Sequence, residues 1–146
     1  MRRTAFRTAA FLATLAAGAA AAQVAAPVED MERAGWTLVT ASEDTLVYMR
    51  PHAPGENGVR QVWTAYDSEA PRQRDGFTFR SVQSLGEFDC KRRLSRVIDE
   101  LYHDAPGLKG RAWRSPKFMV TPWAAPQPDS IGAVRMAFAC KALTDT

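Results

Sequence analysis

The chain has 146 residues, 46% of them hydrophobic and 24% charged. This composition suits one ordinary globular domain and argues against a disordered chain. The formal charge of +3 suggests a mildly basic protein, but its source is local.

Residues 1–22 carry Arg2, Arg3 and Arg7, no acid, and a short run of Ala, Leu, Phe and Thr ending in Ala20-Ala21-Ala22. A basic start, a brief apolar stretch and small residues before a cut point to a secretory signal peptide. The rival reading is an uncleaved anchor, for which the run is short and alanine-rich. Those three arginines account for the whole formal charge, so the chain from Gln23 onward is formally neutral. A nucleic-acid partner, which needs a basic footprint, is not expected. No later stretch has the length of a membrane helix, and no cysteine follows the signal to accept a lipid anchor. The expected location is the periplasm or the medium of a bacterium.

Residues 23–35 read as a linker with Pro27, Glu29, Asp30 and Glu32, carrying little order before the domain at 36–146. Trp36 to Thr40, Thr45 to Met49 and Val59 to Tyr66 are β-branched and aromatic runs separated by turn clusters, and read as neighbouring antiparallel strands. Pro51 to Gly58 is a breaker. Ser68 to Gly76, with Pro71, reads as a polar excursion before β-type sequence resumes at Phe77 to Val82.

Residues 87–104 admit two readings. Cys90, Leu94, Val97, Ile98 and Leu101 have helical spacing. Phe88, Cys90, Leu94, Ile98 and Tyr102 also share one parity, as a strand requires. A further β run, broken by Pro116, spans Arg111 to Val120. Pro122, Pro126 and Pro128 exclude a regular element between them. Ser130 stands where an N-cap belongs, and Ile131, Val134, Arg135 and Phe138 follow at helical spacing, which predicts a short helix from Ser130 to about Lys141.

Cys90 and Cys140 in an exported chain are expected to form a disulfide tying that helix to the domain; two buried free thiols are the alternative. The enclosed loop of about 50 residues makes the link worth about 4 kcal/mol in the chain-entropy picture.

The run Ser84-Leu-Gly-Glu-Phe-Asp-Cys-Lys-Arg-Arg, continuing through Arg96 to Tyr102, is followed by Trp123, Pro126, Ser130 and Cys140, and preceded by Trp36, Val47-Tyr48 and Val62-Trp63. This order resembles the bacterial surface-adhesin protein E family (Adhesin E-like domain), from Trp36 to Lys141. The Glu-Phe-Asp-Cys followed by two arginines is its most specific part. The resemblance implies an α+β fold: an antiparallel β-sheet of about six strands with a C-terminal helix tethered to one face by the disulfide. It tips residues 87–104 toward β, against periodicity. It also implies binding of host matrix and plasma proteins, and a homodimer, as in a lipid-anchored surface member of the family. This chain departs from that member in having no lipid-acceptor cysteine, and a shared fold does not by itself carry over the binding partner.

No catalytic set is evident. His52 and His103 read as solvated loop residues without a nucleophile beside them. No zinc spacing, calcium loop or phosphate cradle appears, so no metal or cofactor is expected. Trp36, Trp63 and Trp123 read as packing rather than a sugar platform. Lys91, Arg92, Arg93 and Arg96 form a local basic cluster that can contact an acidic partner, a glycan or anionic lipid, against the alternative of a solvated strand face. The sequence therefore favours an exported, non-catalytic binding module for a protein or envelope component. The alternatives are a small periplasmic hydrolase using carboxylates, and a structural or stress-related envelope protein.

Overall fold

The computed structural model describes residues 28–54 and 56–141. The expected signal peptide, the linker to residue 27, Gly55 and the tail 142–146 lie outside the described residues.

Six strands form one antiparallel sheet in chain order: β1 Thr37–Ala41, β2 Thr45–Pro54, β3 Val59–Arg74, β4 Phe77–Asp89, β5 Leu94–His103 and β6 Ala112–Trp113. Residues 28–33 are helical (α1), and α2 covers Ile131–Lys141. Each strand pairs with its chain neighbour, so every connection is a hairpin or a local loop.

The β character of residues 87–104 is correct, but they form neither one long strand nor a helix. Residues 90–93 are a turn, and β4 and β5 pair from Asp89↔Leu94 to Ser81↔His103. The polar segment 68–76 is not an excursion either. β3 runs on to Arg74, and the ladder with β4 breaks only between Asp67 and Arg72, where Pro71 needs no partner. Asp75 and Gly76, with φ of 48° and 79°, then make the tight turn into β4; Asp-Gly is the dipeptide such a turn favours. β2 likewise passes through Pro51, with its register shifting between Pro51 and Ala53. Only Ala112–Trp113 of the expected run at 111–120 is strand.

Alternation places two cores on opposite faces of the sheet. On one, Met49, Val62 and Phe88 receive Met136 and Ala139 of α2. On the other, Tyr48 and Ala65 pack with Trp36 and with Met31 of α1, joined by Leu108. Residues 28–35, expected to carry little order, are thus ordered by burying Met31, and the Trp36 N–H donates to the Met31 carbonyl at 3.0 Å. A third cluster joins Phe77, Phe79 and Tyr102 with Val82 and Trp113.

The Ser130 Oγ accepts from the Ala133 N–H at 3.2 Å and donates to the Gln127 carbonyl at 2.6 Å, so the N-cap is as expected. Of the residues at helical spacing, Phe138 packs against the core and Arg135 reaches the sheet. Ile131 is exposed, and Met136 and Ala139 are buried. Cys140, in the last turn, is bonded to Cys90, 5.6 Å away between Cα atoms. That disulfide ties the helix to the end of β4, on the face the helix covers. Gly86 makes the docking possible: a Cβ there would lie 2.9 Å from the Phe88 ring and 3.1 Å from the Arg135 guanidinium.

Residues 121–124 run along the outer edge of β5. Thr121 N–H donates to the Val97 carbonyl, and Ser95 and Ala124 exchange a pair of backbone hydrogen bonds. That edge is covered, as exposed edges commonly are.

Candidate functional site

The basic residues lie at the end of the sheet where the staple is made. Asp89 shapes the turn: its Oδ1 accepts from the N–H groups of Lys91 and Arg92 at 3.1 and 3.0 Å. Asp is well suited to bonding backbone two and three residues ahead. Arg93 adopts φ 55° to complete the turn. Lys91, Arg92 and Arg93 are consequently all exposed. The Arg92 ion pair with Asp89 is long, 3.8 Å, and its side chain keeps 66% exposure.

Arg96 stands apart from them. Its guanidinium pairs with Glu87 at 2.6 Å and lies over the Trp123 ring at 4.6 Å. Glu87 also accepts from Gln61 at 3.1 Å. The structure therefore brings Lys91, Arg92 and Arg93 together and uses Arg96 to fasten Trp123 to the sheet.

Two clefts lie toward the other end of the sheet. One, about 250 Å³, is lined by Glu43, Asp44, Asp67, Glu69, Arg80 and Pro106, among others. Asp67 is buried; its Oδ2 accepts from the Gly107 N–H at 2.9 Å, while its Oδ1 and the Tyr48 hydroxyl have no hydrogen-bond partner. Burial pushes the Asp67 carboxyl above the ordinary carboxylate range, an effect opposed by the Gly107 N–H and the Arg80 charge. Burial, reinforced by the Asp67 charge, pushes the Tyr48 hydroxyl up to about 12. The other cleft, about 270 Å³, is bordered by Tyr66, Phe79, Glu100, Tyr102, Arg72 and Arg74. Tyr102 donates to Glu100 at 2.9 Å, and its hydroxyl is raised to about 12, first by burial and then by Glu100. Arg135 reaches down from α2 to Thr64 at 3.2 Å and lies over Tyr66 and Phe88.

His52 is exposed with its ring edge-on to Trp63, 5.5 Å between centroids. His103 corrects the expectation of a loop residue: it ends β5, is 8% exposed, and neither ring nitrogen has a partner. Burial holds its pKa below the ordinary value, with Asp104 opposing. Both cysteines are consumed by the staple, and no group of His, Cys, Asp or Glu able to hold a metal occurs among the described residues. Trp36 is core, and Trp63 and Trp123 are half-buried against His52 and Arg96. No helix among the described residues is long and apolar enough to cross a membrane.

Sequence reasoning missed Asp67, placed His103 in a loop, and gave Arg135 no role beyond its helical spacing. Asp67 carries a weak signal, a charged residue at the end of an apolar strand run. The one signal for Arg135 is its place among the apolar residues of the helix; which sheet positions it crosses has no sequence signature.

Three findings relate this chain to known proteins. A model of the family described as surface-adhesin protein E matches residues 36–141. Solved structures of Haemophilus influenzae protein E share the fold: one, crystal form II, has a TM-score of 0.60 at 11% identity, covering 77% of this chain and 91% of that one. A second has 0.57 at 13% identity, over 76% and 90%. A third, from non-typeable Haemophilus influenzae, has 0.51 at 11%, over 75% and 74%. No curated protein matches the sequence.

Proposed function

This chain belongs to the surface-adhesin protein E family, and from that premise we propose that it is an exported, non-catalytic binding module of the bacterial envelope that contacts a protein or another envelope component. The match across residues 36–141, the whole sheet and its stapled helix, carries the reading. Residues 1–22 act as its signal peptide and direct it to the periplasm or beyond. Lys91, Arg92 and Arg93 are the contact residues, and Arg96 supports the strand beneath them. Self-association into a homodimer belongs to the same reading; a strictly monomeric mass by light scattering at high concentration removes that part.

The test is in-cell crosslinking of the tagged protein, identification of the captured component, and rebinding of that component to the purified protein. A defined envelope or cell-surface component that rebinds supports the proposal. Repeated failure to capture anything that rebinds overturns it.

One observation favours a second reading. The acidic cleft at Asp67 holds a carboxyl whose proton affinity is raised by burial, which is the condition a carboxylate hydrolase sets on its acid. Hydrolysis of a glycoside or ester that disappears in Asp67→Asn, with the fold intact, would establish that reading in place of the first.

A further inference from the structure

We infer that the stapled end of the sheet is a docking surface for a polyanionic glycan carrying sulfate or phosphate groups. The inference rests on the binding-module reading and assigns it a ligand chemistry.

Charge and shape carry it together. Lys91, Arg92 and Arg93 are three consecutive exposed cations on a hairpin turn, and Arg60 on β3 pairs with Phe88 just behind it. Lys91 reaches across toward the neighbouring turn, where its Cε lies 3.8 Å from the position of a Cβ on Gly58. The acid at the start of the turn, Asp89, has one oxygen occupied by two backbone N–H groups and pairs with Arg92 at 3.8 Å. Lys91 and Arg93 make no ion pair among the described residues, so of the three cations only Arg92 has a carboxylate partner. At the opposite end each of three cations has a carboxylate: Arg72 pairs with Asp44 at 3.1 Å, and Lys117 and Arg74 share Asp75 at 3.5 and 3.8 Å.

The turn is also held in place. Cys90 immediately precedes it and is bonded to Cys140, and Asp89 fixes its backbone. Charges held on a fixed backbone lose less freedom on binding than charges on a mobile loop. A hairpin tip presents little flat area, whereas a specific protein partner commonly needs about 800 Å² per side. A flexible polymer with closely spaced anions can instead wrap a tip and engage several long side chains in turn.

Purified full-length protein is titrated at low ionic strength with heparin (sulfated), phosphomannan (phosphorylated), neutral dextran and polyglutamate. Heparin, phosphomannan or both should bind, and dextran should not; the stronger of the two identifies the anion. In the variant Lys91→Gln, Arg92→Gln, Arg93→Gln, affinity should fall about tenfold, whereas Arg72→Gln, Arg74→Gln, Lys117→Gln, with the same charge loss, should stay within about twofold. Circular dichroism on both variants establishes that each is folded.

Binding to neither charged glycan, equal losses in the two variants, or stronger binding to polyglutamate each overturns the inference, the last in favour of an acidic peptide partner. If both glycans fail while crosslinking still yields a component that rebinds, the binding-module reading survives and only the glycan docking surface is lost.

Discussion

Replacing both cysteines, Cys90→Ala with Cys140→Ala, tests how the helix is held. The link closes a loop with a sequence separation of 50. The chain-entropy relation for that length gives about 4 kcal/mol of lost stability at room temperature. The helix itself supplies little resistance: α2 has 11 residues, marginal alone in water, and it buries only Met136 and Ala139 fully. At about 4 °C for each kcal/mol in a domain of this size, the midpoint should fall by about 16 °C. Thermal unfolding followed by circular dichroism gives the midpoint, and hydrogen exchange separates helix from sheet. Amides of Met136 to Cys140 should lose protection first, while the β3–β4 ladder keeps most of its own, because its pairing does not involve the helix. A loss below about 1 kcal/mol, with α2 protection unchanged, would refute the view that the covalent link, rather than packing, retains the helix. Two thiols open to alkylation in non-reduced secreted protein would remove its premise altogether.

Further outcomes follow from single sites. Gly86→Ala should cost about 1–3 kcal/mol by denaturant titration, since its methyl would press on the Phe88 ring and the Arg135 guanidinium; a neutral result means that α2 can shift freely on the sheet. Ser130→Ala should cost about 1 kcal/mol by removing the bond to the Ala133 N–H, and Ser130→Asp should retain most of it. His103 is buried with its pKa depressed, so the unfolded chain takes up its proton first as pH falls. Wild type should therefore lose stability below about pH 6.5 relative to His103→Leu, and a constant difference from pH 7.5 to 5 would contradict this. Tyr48 and Tyr102 are both raised to about 12, so the folded form keeps its phenolic protons longer than the unfolded chain. Burial raises the Tyr66 hydroxyl as well, so stability should fall as pH rises above about 10, and phenolate absorbance in the folded protein should show all three tyrosines titrating late.

What the sequence determined by itself is what short-range chemistry encodes. Ser130 caps a helix because its hydroxyl needs only an N–H three residues on. The strands at Thr37, Thr45, Val59 and Phe77 were legible from β-branched and aromatic residues with turn residues between them. The pairing of Cys90 with Cys140 was legible because a chain with two cysteines, read as exported, has one intramolecular partner for each. The family's residue order placed a helix over a sheet.

Tertiary structure decided the rest, because the deciding contacts are remote in sequence. Helical periodicity across Cys90 to Leu101 was overridden by the ladder that Asp89 to Ser81 forms with Leu94 to His103, and a period cannot report a partner strand. Pro71 and Pro51 look like strand breakers, yet both sit at register shifts that their neighbours absorb. Which residues α2 buries most deeply, Met136 and Ala139, was decided by packing on Met49, Val62 and Phe88 of the sheet, and spacing alone does not report it. Arg96, one of four basic residues in the sequence cluster, was drawn to Glu87 and Trp123, while the Asp89 turn held the other three out in solvent.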